Sequence, residues 1–259
     1  MHTQSKRFAR QFVAALLLTA TAACSSSSSS RAGSGAGSGT ITVLAASSLT
    51  KAFTKLGAEF EAAHSGAHVA FDFGSSSQLA TQIVQGAPAD VFASADAANM
   101  AKVVAAKQNS GTPAPFARNK LEIAVETGNP KHITSLAGLA APGVVVVLCD
   151  PSVPCGKFAD KVLANAKVSV TPKSREASAK ATLAKVELGE ADAAIVYVSD
   201  VATSKKVEGV TIPDAVNVTT TLPIVALRGS SNAALATEWV DFVRAHRNDL
   251  VRDFGFLAL

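Results

Sequence analysis

A-A-S-S-L-T-K-A-F at residues 45–53, F-G-S-S-S-Q-L-A-T-Q-I at 73–83 and G-A-P-A-D-V-F-A-S-A-D at 86–96 are the stretches that decide how this chain reads. Twice within them an apolar run ends in small residues and serines, and a helical pattern begins at once. Residues 41–44 read as a first strand. Leu49, Phe53, Leu56 and Phe60 then recur at helical spacing, with Ser47 or Ser48 as the expected N-cap. Residues 69–73 read as a second strand, followed by Ser75, Ser76 and Ser77 and a helix carrying Leu79, Ile83 and Val84. A helix start leaves backbone N–H groups unpaired and holds a partial positive charge of about half a unit. Serine hydroxyls and small residues around such a start make an anion site that needs no cation. Two such starts could face one anion; two ordinary capped helices of an α/β domain would carry the same letters.

The alternation continues downstream. Asp96 is placed to cap a helix through Met100, Val103 and Val104. Residues 109–115 read as a loop, 121–125 as a strand and 144–148 as a fully buried strand. Residues 157–166 and 179–188 read as helices, the first entered through Pro154-Cys155-Gly156 and the second capped by Ser178. Then come a strand at 193–198, a long strand at 218–227 interrupted by Pro223, and a closing amphipathic helix at 235–250. Strands alternating with helices argue an α/β fold with mostly parallel sheets, flanking helices and right-handed crossovers.

The segments A-A-S-S-L (45–49), F-x-S-S-S-x-L-A-x-Q-I (73–83), G-A-P-A-D-V-F-A-S-A-D (86–96), D-P-S-V-P-C-G (150–156) and A-A-I-V-Y-V-S-D (193–200) together resemble the molybdate-binding proteins of ABC importers, a branch of the type II periplasmic binding proteins. The resemblance runs from about Thr40 to Phe256. It implies a two-lobe fold: residues 40–118 with 218–259 form lobe one and 119–217 lobe two, joined by hinge strands near 118–121 and 217–222. It also implies an extracytoplasmic binding protein, not an enzyme, which captures molybdate or tungstate as a ligand and needs no cofactor. Its partners would be a membrane permease and a cytoplasmic ATPase, and the family is usually monomeric.

The beginning of the chain reads as a targeting signal. Lys6, Arg7 and Arg10 precede a short apolar run at 12–23, too short to span a membrane, which needs roughly twenty residues. Thr21-Ala22-Ala23-Cys24 resembles a bacterial lipoprotein cleavage site, although Thr21 stands where Leu is usual; a plain secretory peptide is the alternative. On the first reading residues 1–23 are removed and Cys24 carries a lipid that anchors the protein to the membrane. Residues 24–39, Ser- and Gly-rich, form a flexible tether. The formal net charge of +4 drops to +1 once Lys6, Arg7 and Arg10 leave with the signal. No basic stripe with aromatics is present, so nucleic acid is not an expected partner. Cys149 and Cys155 remain; in an extracytoplasmic chain they form a candidate disulfide, with two free thiols as the alternative.

The family holds a tetrahedral oxyanion between its lobes with hydroxyls and backbone N–H groups. Carried over by position, the resemblance assigns Ser48 and Ser76 from lobe one. From lobe two it assigns Cys155 and Ala179, through their backbone N–H, and the Tyr197 phenol. Alanine is the family's familiar residue at the Cys155 position and valine is frequent at Ala179; a backbone role makes both departures secondary. A donor-only cage suits a dianion whose oxygens only accept, and leaves the O–H of hydrogen phosphate unpaired at a cost of roughly 1–3 kcal/mol. Sulfate shows the same acceptor pattern and must be rejected by size.

Competing readings are a receptor of the same fold for sulfate, phosphate or a small organic anion, a hydrolase, and a metal receptor. Gly74-Ser75-Ser76-Ser77 lacks the second glycine of a nucleophile elbow, and no G-K-[ST] follows a glycine loop. His64 and His68 could ligate a metal but have no evident third ligand.

Overall fold

The computed structural model describes residues 38–259; the signal at 1–23, Cys24 and all but the end of the tether lie outside the described residues. The first strand begins earlier than the sequence suggests. Strand β1 (Gly39–Ala46) starts at Gly39, whose N–H donates to Gly66 O at 2.8 Å. A single 3-10 turn (Ser47–Leu49) then leads into α1 (Thr50–Ala63). Next come β2 (Ala67–Gly74), α2 (Ser76–Val84), β3 (Val91–Ala93), α3 (Ala97–Ala105) and the long β4 (Asn109–Glu126). After it lie β5 (Val146–Cys149), α4 (Pro154–Asn165), β6 (Ser174–Glu176), α5 (Ala179–Glu187), β7 (Ala193–Tyr197), α6 (Val198–Thr203) and β8 (Val207–Thr211). The chain finishes with β9 (Thr219–Leu227), α7 (Ala233–Ala245) and α8 (Arg247–Phe254).

The strands follow the order β2-β1-β3-β9-β4-β7-β5-β6, with β8 on β4. The expected parallel pairing is found in β2-β1-β3 and in β7-β5-β6. Every pair made by β4 or β9 is antiparallel: β9 runs back between β3 and β4, which helix α3 connects, and β4 runs against β7 and β8. β4 pairs with β9 through Asn109–Lys120 and then, from Leu121 and Glu122 onward, with β7 and β8. One strand therefore belongs to two sheets.

Three expectations are corrected here. Residues 109–115 are not a loop but the bulged opening of β4, with register shifts between Ser110 and Ala114 and between Pro115 and Ala117. Pro223 does not interrupt β9: it lies opposite Pro115, beside a bulge, and one residue past the last pair with β3, and its carbonyl accepts from Ser94 N at 2.9 Å. The closing helix is two helices that break at His246, whose ring stacks on Phe242 with centroids 3.9 Å apart.

Alternation along the first strands supplies both faces of the sheet. Ile41, Val43 and Ala45 join the core on the α1 and α7 side, and Leu44 joins the one under α2 and α3. On the first face Phe53, Phe60 and Phe71 pack edge-on against Trp239, with centroids 5.3–5.7 Å away. Gly57 admits Phe71: a Cβ there would lie 2.7 Å from the ring.

Candidate functional site

The carboxyl ends of the parallel strands turn directly into helices, and these junctions converge. β1 delivers Ser48 on the 3-10 turn, β2 delivers Ser76 as the first residue of α2, and β3 leads to Ala95. From the other half, Cys155 stands in the first turn of α4, Ala179 opens α5 and Tyr197 ends β7. All six line one small cavity with Ala46, Ser47, Gly74, Ser75, Val153, Pro154 and Ser178. The free space is ≈ 220 Å³, part of it open to solvent. None of the lining residues is charged and none is a histidine.

The hydroxyls are set differently. Ser75, not Ser76, caps α2, accepting from Gln78 N at 3.4 Å. Ser76 Oγ accepts the N–H of Ala95 at 2.9 Å, which occupies a lone pair and leaves its own proton to be donated elsewhere. Neither Ser47 nor Ser48 is the N-cap the sequence suggests: Leu49 stands at the start of α1, with no side-chain cap bond. Ser48 lies inside the 3-10 turn, the turn makes no side-chain cap bond, and the buried Ser48 Oγ has no protein partner. The Tyr197 phenol oxygen is likewise buried and without a partner. Burial pushes the phenol pKa far above its ordinary value, and Asp200 and Asp96 push the same way, so Tyr197 keeps its proton and acts as a donor.

Backbone donors complete the wall. Intrahelical bonding in α4 begins with Lys157 N to Val153 O, and Pro154 has no N–H, so the N–H groups of Cys155 and Gly156 stand at the helix opening. In α5 the Ser178 hydroxyl takes Ala181 N at 3.2 Å, leaving the N–H groups of Ala179 and Lys180 at the start. Three helices of nine or more residues thus begin at the cavity. Their aligned peptide dipoles give it positive character without a cation.

Cys149 and Cys155 are joined by a disulfide, Cα–Cα 5.8 Å, which ties the end of β5 to the first turn of α4. Gly156 makes the same junction sterically exclusive, since a Cβ there would lie 2.0 Å from Asp150 O. Away from the cavity, His64 stacks on Phe60 and His68 pairs with Glu61 at 2.9 Å. Among the described residues no three His, Cys, Asp or Glu side chains gather so as to hold a metal ion.

The five residues named from the sequence therefore surround one space. Ala95 was not among them, although it lies in the third quoted stretch: its role is a backbone bond to Ser76, which side-chain letters do not disclose.

Strand ends and helix openings from two sheets, closing on an uncharged, donor-lined cavity, define a two-sheet α/β solute-binding protein. The chain matches the family of bacterial extracellular solute-binding proteins over residues 41–257, and it belongs to that family. It is 45% identical over 206 residues, 79% of each chain, to the molybdate-binding protein ModA of Mycobacterium tuberculosis. The substrate-binding domain of a molybdenum ABC transporter from Clostridium difficile, described as putative, superposes with a TM-score of 0.64 at 26% identity, covering 85% of this chain and 99% of that one. The Azotobacter vinelandii periplasmic molybdate-binding protein superposes with a TM-score of 0.74 at 19% identity and the same coverage, a likeness of fold.

Proposed function

We propose that this protein captures molybdate, and tungstate with it, outside the cytoplasm and delivers it to an ABC importer, a membrane permease driven by a cytoplasmic ATPase. One observation carries the reading: the hydroxyls of Ser48 and Tyr197 are buried, lack protein partners and line the same uncharged cavity. A buried donor left unpaired costs about 1–3 kcal/mol, so a ligand that only accepts is what this cavity rewards. Molybdate is an unprotonated dianion at neutral pH. Ser48, Ser76 and Tyr197 would donate to it through O–H, and Cys155 and Ala179 through N–H. No carboxylate lines the cavity to take the proton of hydrogen phosphate. The mycobacterial relative named above supports molybdate over other oxyanions.

Donors come from both halves of the sheet, so a full set forms only when the halves are together. Residues 40–118 with 218–259 and residues 119–217 act as two lobes hinged at 118–121 and 217–222, and the anion shifts the population toward the closed form. The protein works as a monomer and as a carrier and not an enzyme, a reading supported by its membership of the solute-binding family. A lipid on Cys24 anchors it to the membrane; Cys24→Ala should release it to the soluble fraction.

Thermal unfolding with molybdate, tungstate, sulfate or phosphate tests the central reading, because a ligand specific for the folded state raises stability as ln(1 + [L]/Kd). A rise with molybdate and tungstate alone supports it. A rise with sulfate or phosphate instead moves the function to another oxyanion, and no rise with any of the four overturns it.

A further inference from the structure

Asn119 on β4 and Thr220 on β9 are direct cross-strand partners, at the point where β4 leaves β9 to pair with β7 and β8. Both are buried. Asparagine is a poor strand former, and a buried polar pair in mid-sheet is costly unless its groups are hydrogen-bonded. Here Thr220 reaches Ala95, which lines the anion cavity, and Asn119 reaches α6, which begins directly after the cavity residue Tyr197. Thr220 Oγ1 donates to Ala95 O at 2.9 Å, and the N–H of the same Ala95 donates to Ser76 Oγ at 2.9 Å. Asn119 Nδ2 donates to Ser199 Oγ at 2.8 Å, and Ser199 is the second residue of α6, two beyond Tyr197. The four side chains Ser76, Thr220, Asn119 and Ser199 are all buried, so these bonds are shielded from water.

We infer that Asn119 and Thr220 are positioning residues of the anion site: Thr220 sets the Ser76 hydroxyl through Ala95, and Asn119 sets Tyr197 through Ser199. The inference rests on the reading of the cavity as an oxyanion site. A tetrahedral ion takes donors from both walls, and the spacing of those walls decides which ion size fits. Molybdate and sulfate offer the same acceptors and differ in size, so the discrimination between them is where this pair acts. Neither residue touches the ion.

The test is a titration of the purified protein with sodium molybdate and sodium sulfate, alongside its unfolding temperature without anion. The variants are Thr220→Val, Thr220→Ser and Ser199→Ala. Thr220→Val keeps the shape and removes the donor; it should weaken molybdate about tenfold, the loss of one buried hydrogen bond, and narrow the molybdate-over-sulfate ratio. Thr220→Ser should restore both. Ser199→Ala should narrow the ratio from the other wall, and it decides the matter if Thr220→Val fails to fold. Variants that lower the unfolding temperature but keep the wild-type affinity and ratio overturn the inference alone. A wild type that binds neither anion overturns the site reading and the inference with it.

Discussion

Ser48 and Tyr197 carry two buried hydroxyls, neither with a protein partner, into one cavity from opposite halves of the molecule. Function and stability pull against each other at this point. In the empty protein each orphaned donor costs about 1–3 kcal/mol, and under the proposed function each would gain a partner from an accepting ion. Ser48→Ala and Tyr197→Phe should therefore leave the unfolding temperature of the empty protein unchanged or higher. Each should also weaken molybdate about ten- to a hundredfold. Calorimetric titration with differential scanning of the empty protein checks both signs; a loss of stability without loss of affinity would mark the two as core residues.

Ser76 should behave otherwise, because its oxygen already holds the Ala95 N–H. Ser76→Ala strands that buried donor and should lower the stability of the empty protein by about 1–3 kcal/mol as well as weakening the anion. Urea unfolding of Ser76→Ala beside Ser48→Ala separates the two cases by the sign of the stability change.

The junction of β5 with α4 is closed by the Cys149–Cys155 disulfide and by Gly156. The double variant Cys149→Ala/Cys155→Ala should cost about 2–3 kcal/mol, the chain-entropy value for so short a loop, and retain measurable anion binding, since the role proposed for Cys155 is through its backbone N–H. Gly156→Ala is more severe. Its methyl would fall 2.0 Å from a backbone oxygen, which forces the helix start away from β5 and should abolish the molybdate-induced thermal shift. A shift equal to the wild type's would show that the α4 opening is dispensable.

Asp200 makes stability depend on pH. Burial pushes its carboxyl up to about 7 and Glu187 pushes the same way, while the Tyr197 N–H and Lys51 pull it down. The ordinary value is 3.8. Between these limits the folded protein holds a proton that the unfolded chain has lost, so this group's contribution is present at low pH and is lost as pH rises from about 4 to about 7. Asp200→Asn keeps an acceptor for the Tyr197 N–H and does not ionise. Its stability relative to wild type should rise across that interval and level off above it. Denaturant melts from pH 4 to pH 8 give the difference curve, and a flat one would remove Asp200 as the source.

Much of the fold was legible because its junctions are written in short-range letters. Ser75-Ser76-Ser77 after an apolar strand, Asp96 before Met100 and Ser178 before Ala179 each announce a helix, and Ser75, Asp96 and Ser178 do cap α2, α3 and α5. What escaped was non-local. Residues 109–115 read as a loop because Gly111, Pro113 and Pro115 break strand patterns, yet β9 supplies the pairing partner and bulges absorb the misfits. Ser47 or Ser48 read as a cap because serine before a helix usually is one; neither caps α1, and the Ser48 hydroxyl is buried without a partner instead. The Ala95 contribution has no side-chain signature at all.

β9 lies between β3 and β4 in the sheet, although residues 94–218 separate it from β3 in the chain. Its placement imposes an order on assembly. Until residues 219–227 have been made, β3 and the first part of β4 present open edges to each other, and the sheet that carries Ser48 and Ser76 lacks its middle. A ribosome-bound or partly exported chain cannot complete that sheet early. Completion of that sheet waits for residues 219–227, which suits a protein translated on one side of a membrane and finished on the other.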